Sequence, residues 1–389
     1  MSRAVRERRP RGRSRVGERH TVEVGPIAHG GHCVARVPVE PGGSETRVVF
    51  VRHAIPGERV VLQVTEGTDG DRFWRADAIE VLEASPDRVT PPCPYAGPAR
   101  CGGCDFQHVA LERQRALKAD VVREQLSRLA GLDREVVVEA VAGDVPENLA
   151  GLRWRTRVQY VDLPGRRRGM RQHRSRATVA IEDCLIAHPA AREPAPGDLT
   201  ETVGQHEFTV GGDGFWQVHP GAPGTLVEAV LEALEPRAGE SVLDLYAGVG
   251  LFARFLADRV GPTGTVAAVE GDRTAAEHAV ANLADVPGAE VSCGSVADVL
   301  GESFTAPVDL IVLDPPREGA RRAVVEQIVA RTPRAVAYVA CDPAALARDI
   351  GIFAEHGYQL ASLRAFDLFP MTHHVECVAL LERTGSDLR

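Results

Sequence analysis

From Ser241 onward the chain alternates between two hydrophobic periods. Short apolar runs at Ser241–Tyr246, Thr265–Val269, Glu290–Ser292, Val308–Leu313 and Ala335–Ala340 are separated by amphipathic stretches. Runs of the first kind are strands buried on both faces; the intervening stretches are helices. Helices are expected from Leu251 to about Val260 and over 273–284, 320–331 and 343–356, with further strands near 358–366 and 374–382. This alternation predicts an α/β fold with a doubly wound parallel sheet. Upstream the pattern has period two. The runs Thr21–Val24, Arg47–Arg52, Arg59–Val64 and Arg75–Val81, with turn signals at Gly30-Gly31 and Pro56-Gly57-Glu58, predict a small OB-like β-barrel. Residues 108–130 carry an apolar stripe of Leu117, Val121, Val122, Leu126 and Leu129 and read as one helix stopped by Gly131. Residues 136–210 mix short strands with an arginine-rich stretch. The expected organisation is a disordered basic arm over 1–16, a barrel over 17–86, a small central α/β domain over 87–210 and the sheet domain over 211–389.

Charge changes the picture through its distribution. The net charge is −9, yet residues 1–19 hold eight arginines and residues 153–176 hold nine, while Lys118 is the one lysine. Such blocks suit a polyanion. No stretch approaches the length of apolar sequence that spans a membrane. The arginine-rich N-terminus lacks the apolar segment of a secretory signal, so a cytoplasmic protein is expected. In that compartment cysteines serve metal binding or catalysis rather than disulfides. Three of the eight cysteines form Cys93-x7-Cys101-x2-Cys104, with Gly102-Gly103 letting the backbone wrap closely. The fourth ligand this set needs is Cys184 or Cys33. Four thiolates fit a [4Fe–4S] cluster or zinc, and the spacing leaves both open.

The candidate chemistry collects at the carboxyl ends of the predicted strands, where open α/β sheets bind ligands. Gly248-x-Gly250 follows the first strand, and Glu270, at the end of the second, lies 22 residues after Gly248, where an acid meets ribose hydroxyls. Alone this loop fits a dinucleotide or S-adenosylmethionine. Asp244, ahead of the glycines, is placed to meet a cationic ligand, and Asp314-Pro315-Pro316 follows the fourth strand, which favours a methyl donor. Cys341 ends the fifth strand, and Asp342-Pro343 opens a helix. A thiol at a helix N-terminus can have a lowered pKa. A cysteine there, with Glu376 further on, suits methylation at C5 of a uracil. That carbon is a poor nucleophile until a thiolate adds to C6, and a base must then remove the C5 proton.

These residues resemble the TRAM-domain RNA uracil-C5 methyltransferase family, over nearly the whole chain. Gly30-Gly31 and Ile55-Pro56-Gly57-Glu58 are similar to its TRAM turns, and Phe215-Trp216-Gln217-Val218 to the motif whose glutamine meets S-adenosylmethionine. The resemblance implies a class I methyltransferase sheet, S-adenosylmethionine as cofactor, and RNA as partner, ribosomal before transfer RNA. It implies no obligate protein partner, and a monomer is expected. It assigns Cys341 as nucleophile and Glu376 as base, and puts Gln217, Tyr246, Gly248, Glu270, Asp298 and Asp314 at the cofactor. Cys93, Cys101, Cys104 and Cys184 match the ligands of members bearing a [4Fe–4S] cluster, ahead of zinc, and helix 108–130 is implied to pack on the catalytic domain. The chain departs from the family at Asp342, where asparagine is usual, at Leu251, and in its longer first cysteine spacing. Cys377, beside the base, has no role legible here. Two other readings stand beside this one: a non-catalytic RNA-binding iron–sulfur protein on a methyltransferase fold, and a nicotinamide-dependent oxidoreductase.

Overall fold

The computed structural model describes residues 12–40, 42–165 and 167–384. The chain divides into two compact units, one of residues 1–117, 161–184 and 371–373, the other of 118–160, 185–370 and 374–389. Most of the expected basic arm lies outside the described residues. Its end is held in place: Ser14 bridges to Thr68, and Arg15, 5% exposed, is ion-paired to Asp69, Glu18 and Glu40.

In the first unit, six strands form one sheet in the order Arg19–Glu23, Arg59–Glu66, Phe73–Glu83, Thr46–Arg52, His32–Pro38, Ile27–Ala28. Period two decides which side chains go inside. Cys33, Ala35 and Val37 are buried on one strand, and Val60, Leu62 and Val64 on another, around a fully buried Trp74. Glu58 explains the Ile55–Glu58 turn. Its buried carboxylate accepts from the N–H groups of Ile55 (2.8 Å) and Ser85 (3.1 Å) and pairs with Arg88 at 2.6 Å. Gly57 supplies the positive φ of 86°. The strands Val161–Leu163, Arg167–Arg171 and Thr178–Ile181 make a second, antiparallel sheet in this unit.

In the second unit, eight strands lie in the order Ala289–Cys293, Thr265–Glu270, Ser241–Leu245, Leu310–Leu313, Ala335–Ala340, Glu376–Arg383, Tyr358–Asp367, Val138–Ala140. The first five run parallel, as the strand–helix alternation predicts. Glu376–Arg383 is antiparallel to both its neighbours, a reversal that the short connection after Tyr358–Asp367 allows. The strand order turns round at Ser241–Leu245, so the crevice opens at the carboxyl ends of that strand and Leu310–Leu313. The predicted long helix is α-helical over Leu111–Gln125 and closes with one π-helical turn at Leu126–Ala130, stopped by Gly131 at φ 67°. Its Ala119, Val122 and Leu126 share a hydrophobic core with Leu243, Ile311, Val336 and Phe353. Lys118, wholly buried, pairs with Asp367 at 2.5 Å and donates to the Phe369 carbonyl at 3.1 Å. A buried lysine is held only with such partners.

Candidate active site

Strand register brings Cys341 and Glu376 to one edge. In the antiparallel pair, Ala340 faces Cys377, so Cys341 and Glu376 are the next residues across. Cys377 then points into the core, fully buried, which accounts for its apolar setting. Asp314 lies one residue past Leu310–Leu313, its N–H donating to the Leu245 carbonyl at 3.2 Å.

The electrostatics correct one expectation. Cys341 is not an activated thiol at rest: burial pushes it up to about 12, with Glu376, Asp314 and Asp342 adding to the rise and Arg317 opposing it. The following helix does not offset this rise. Asp342 Oδ1 accepts from the N–H groups of Ala344 (3.0 Å) and Ala345 (2.9 Å), so a carboxylate, not the sulfur, occupies the helix N-terminus. Glu376, 4% exposed, is also held well above the ordinary glutamate range, by burial first and then by Asp314, with Arg317 again opposing. Burial raises Asp314 likewise. Arg317 thus acts on both reactive groups. Its exposed guanidinium lies 3.4 Å from His374 Nε2. In the sequence, Arg317 follows Asp314-Pro315-Pro316 with no local pattern that marks it for this role.

The glycine loop is built around an acid on each side. Gly248 and Gly250 take positive φ angles of 56° and 88°, and a Cβ built on Gly248 would meet nothing within 4 Å. Glu270 accepts from the N–H of Gly248 (2.8 Å) and of Asp272 (2.7 Å), one on each oxygen, leaving further lone pairs open. Beneath the loop Asp244 is fully buried. Its Oδ2 accepts from Ala253 N–H at 2.8 Å, its Oδ1 has no partner among the described residues, and burial pushes the carboxyl up to about 8. Tyr246 sits half-buried at φ 61°. Asn282, which sequence reasoning missed, pins the loop. Its Nδ2 donates to the carbonyls of Val249 (2.9 Å) and Thr209 (3.1 Å), and its Oδ1 accepts from Thr209 N–H at 2.8 Å. Gln217 is half-buried beside Val218, whose carbonyl accepts from Thr156 N–H at 2.8 Å. Asp298 is exposed in the first turn of the helix Val296–Glu302.

The cysteine set lies in the first unit. Among the described residues no group of three or more His, Cys, Asp or Glu side chains is gathered closely enough to hold a metal ion. The four thiols are nonetheless neighbours: burial raises Cys104, and Cys184, Cys101 and Cys93 each add to the rise. Gln107 Nε2 donates to Cys104 Sγ at 3.4 Å and Gly103 N–H to Cys101 Sγ at 3.5 Å. Cys33 is elsewhere, buried on the six-stranded sheet with its thiol donating to the Ala54 carbonyl at 3.3 Å. The arginine stretch divides. Arg153 and Arg157 belong to the second unit and donate to backbone carbonyls of Ala187, Asp213 and Gly214. Arg167, Arg168, Arg171, Arg174 and Arg176 are exposed in the first.

Residues 296–384 match the family described as tRNA (Uracil-5-)-methyltransferase, residues 13–78 match the TRAM domain, and residues 224–338 match the methyltransferase small domain. An uncharacterized RNA methyltransferase of Streptomyces avermitilis is 47% identical, the alignment covering 96% of this chain and 100% of that one. A 23S rRNA (uracil(1939)-C(5))-methyltransferase of Shewanella amazonensis is 30% identical, over 86% of this chain and 91% of its own. The chain belongs to the TRAM-domain RNA uracil-C5 methyltransferase family. The fold agrees: the crystal structure of a Pyrococcus abyssi tRNA (uracil-54, C5)-methyltransferase in complex with S-adenosyl-L-homocysteine superposes with a TM-score of 0.64 at 21% identity, covering 86% of this chain and 94% of that one. This RNA uracil-C5 methyltransferase has, among its described residues, no helix long and apolar enough to cross a membrane.

Proposed function

We propose that the protein methylates C5 of a uridine in RNA, ribosomal RNA before transfer RNA, with Cys341 as nucleophile and Glu376 as base. The observation that carries this reading is the strand register that sets Cys341 opposite Glu376, with Arg317 acting on both. The thiol gives up its proton to solvent, and the thiolate sulfur adds to C6. The C5=C6 electron pair moves toward C4, placing negative charge on O4, where the Arg317 guanidinium stabilises it. S-Adenosylmethionine, when bound, supplies the electrophilic methyl group for C5. Glu376, as carboxylate, then takes the C5 proton. The electrons left behind restore the double bond and expel the Cys341 sulfur.

The chain's residues fit that cofactor. The unpartnered Asp244 Oδ1, the open space above Gly248 and the lone pairs left on Glu270 suit a cationic nucleoside, with Tyr246, Gln217, Asp298 and Asp314 as further contacts. RNA with 5-fluorouridine at the target should form an adduct that survives a denaturing gel, because fluorine does not leave as a proton does. Absence of the adduct, with protein that methylates the ordinary transcript, would overturn the mechanism. The TRAM barrel and the exposed arginines would hold the RNA, with the target uridine unstacked or taken from a loop.

We further infer that Cys93, Cys101, Cys104 and Cys184 hold a [4Fe–4S] cluster in a structural role. The two N–H···S hydrogen bonds support it, because cluster sulfurs are commonly hydrogen-bonded. Four thiolates around a cluster also stand further apart than around one ion, consistent with thiols that act on one another without closing on a point. Protein purified without oxygen should carry about four irons and four sulfides per chain. About one zinc and no iron would replace this reading with the zinc one.

A further inference from the structure

We propose that His374 is a positioning residue, whose Nε2 accepts from the Arg317 guanidinium and fixes that cation for the Cys341–Glu376 pair. A guanidinium has donors only, so in the 3.4 Å contact the imidazole must be the acceptor. The proposed contact calls for the neutral ring with its proton on Nδ1. Phe369 meets the same ring edge-on, with centroids 5.9 Å apart, and limits its rotation. Chain order makes the arrangement compact, since His374 precedes Glu376 by two residues and Arg317 follows Asp314 by three. One short segment therefore delivers both the base and the group that holds the cation.

The need for such a holder follows from the exposure of Arg317. A free arginine side chain samples many rotamers, and that freedom must be given up before its charge can act at one point. Charge stabilisation works when the donor is already in place as negative charge develops. The contact is at the long end for a hydrogen bond, as contacts often are before substrate tightens them.

The proposal rests on the uridine-C5 reading, and its test separates the two. Single-turnover 5-methyluridine formation is followed on unmodified 23S rRNA and tRNA transcripts with the full chain. His374→Leu should slow the step by roughly ten- to a hundredfold, the size expected for misplacing one charge-stabilising donor. S-Adenosylmethionine affinity should stay within about twofold, which also reports a folded catalytic unit. His374→Gln, whose carbonyl accepts from a guanidinium, should recover most of the rate. In an Arg317→Leu background, His374→Leu should cost nothing more, whereas a merely structural role would add its full effect. An unchanged rate in His374→Leu, no recovery with glutamine, or additive losses would each overturn the proposal. If the leucine variant does not fold, His374→Asn, too short to reach, takes its place under the same criteria. No methylation of either transcript by the native protein would bring down the uridine-C5 reading and this proposal together.

Discussion

Cys341, the proposed nucleophile, is held as a thiol. Its neighbours are carboxylates, and the positive end of the following helix is taken by Asp342. A resting thiolate would be open to oxidation and alkylation; this one is silent until the proton is removed. Glu376, the proposed base, is subject to the same constraint, since burial and Asp314 favour its neutral form and the proposed step needs the carboxylate. Both groups therefore have folded pKa values above their ordinary ones, and both must be deprotonated to act. The sign is the same for each, so the single-turnover rate rises with pH. With the thiol at about 12 in the protein alone, the thiolate fraction grows about tenfold per pH unit through the neutral range. A rate measured from slightly acidic to slightly alkaline pH should follow that slope until the cofactor's positive charge levels it. A rate that is flat or falls with pH would mean that neither proton is being lost in the step.

At the scale of elements, the glycine loop depends on a residue far from it in sequence. Asn282 ends the helix Arg273–Asn282, and its amide ties Val249 in the loop to Thr209 on the strand His206–Gly211. Two donors and one acceptor are satisfied at once, so alanine there leaves three backbone groups without this partner. Asn282→Ala should weaken S-adenosylmethionine binding about tenfold, the cost of one to two lost buried hydrogen bonds, and calorimetric titration checks it. Full affinity in that variant would mean that the glycines hold their shape unaided. This residue also marks how far sequence reading reached. Gly248 and Gly250 were legible because a positive φ is a local demand that selects glycine. Asn282 was not, because its partners are set by packing 33 and 73 residues away. The strand–helix alternation was legible for the same local reason. The reversal of Glu376–Arg383, which turns Cys341 and Glu376 into cross-strand neighbours, depends on a pairing that no local period reveals. The direction of the Cys341 shift was misjudged because burial, which sets its sign, is decided by packing across the sheet, and because the sequence places a helix N-terminus nearby without showing that Asp342 has occupied it.

For the whole molecule the question is how a chain with net charge −9 binds a polyanion. Much of its positive charge is already in use. Arg88 pairs with Glu58, Arg334 with Glu240, Arg364 with Glu139 and Glu232, and Arg157 donates to backbone carbonyls. A linear count of arginines over 153–176 therefore overstates the patch. The arginines of the strand Arg167–Arg171 and the turn after it are instead solvent-exposed, among them Arg174, Arg176 and Arg171, which donates to the Arg176 carbonyl. If each of those three neutralises one phosphate, replacing all three by alanine removes three released counterions. The slope of log K against log salt should then become shallower by about two units, at about 0.7 per contact on single-stranded RNA. Filter binding of an unmodified 23S rRNA transcript between about 50 and 200 mM salt measures it. Because these residues lie in a different unit from Cys341, methylation at low salt and saturating RNA should survive the triple change. A slope that does not move would assign the phosphate contacts to another surface, with the TRAM sheet the first to test. A slope that flattens while saturated turnover also collapses would mean that the arginines contribute to catalysis as well as to capture.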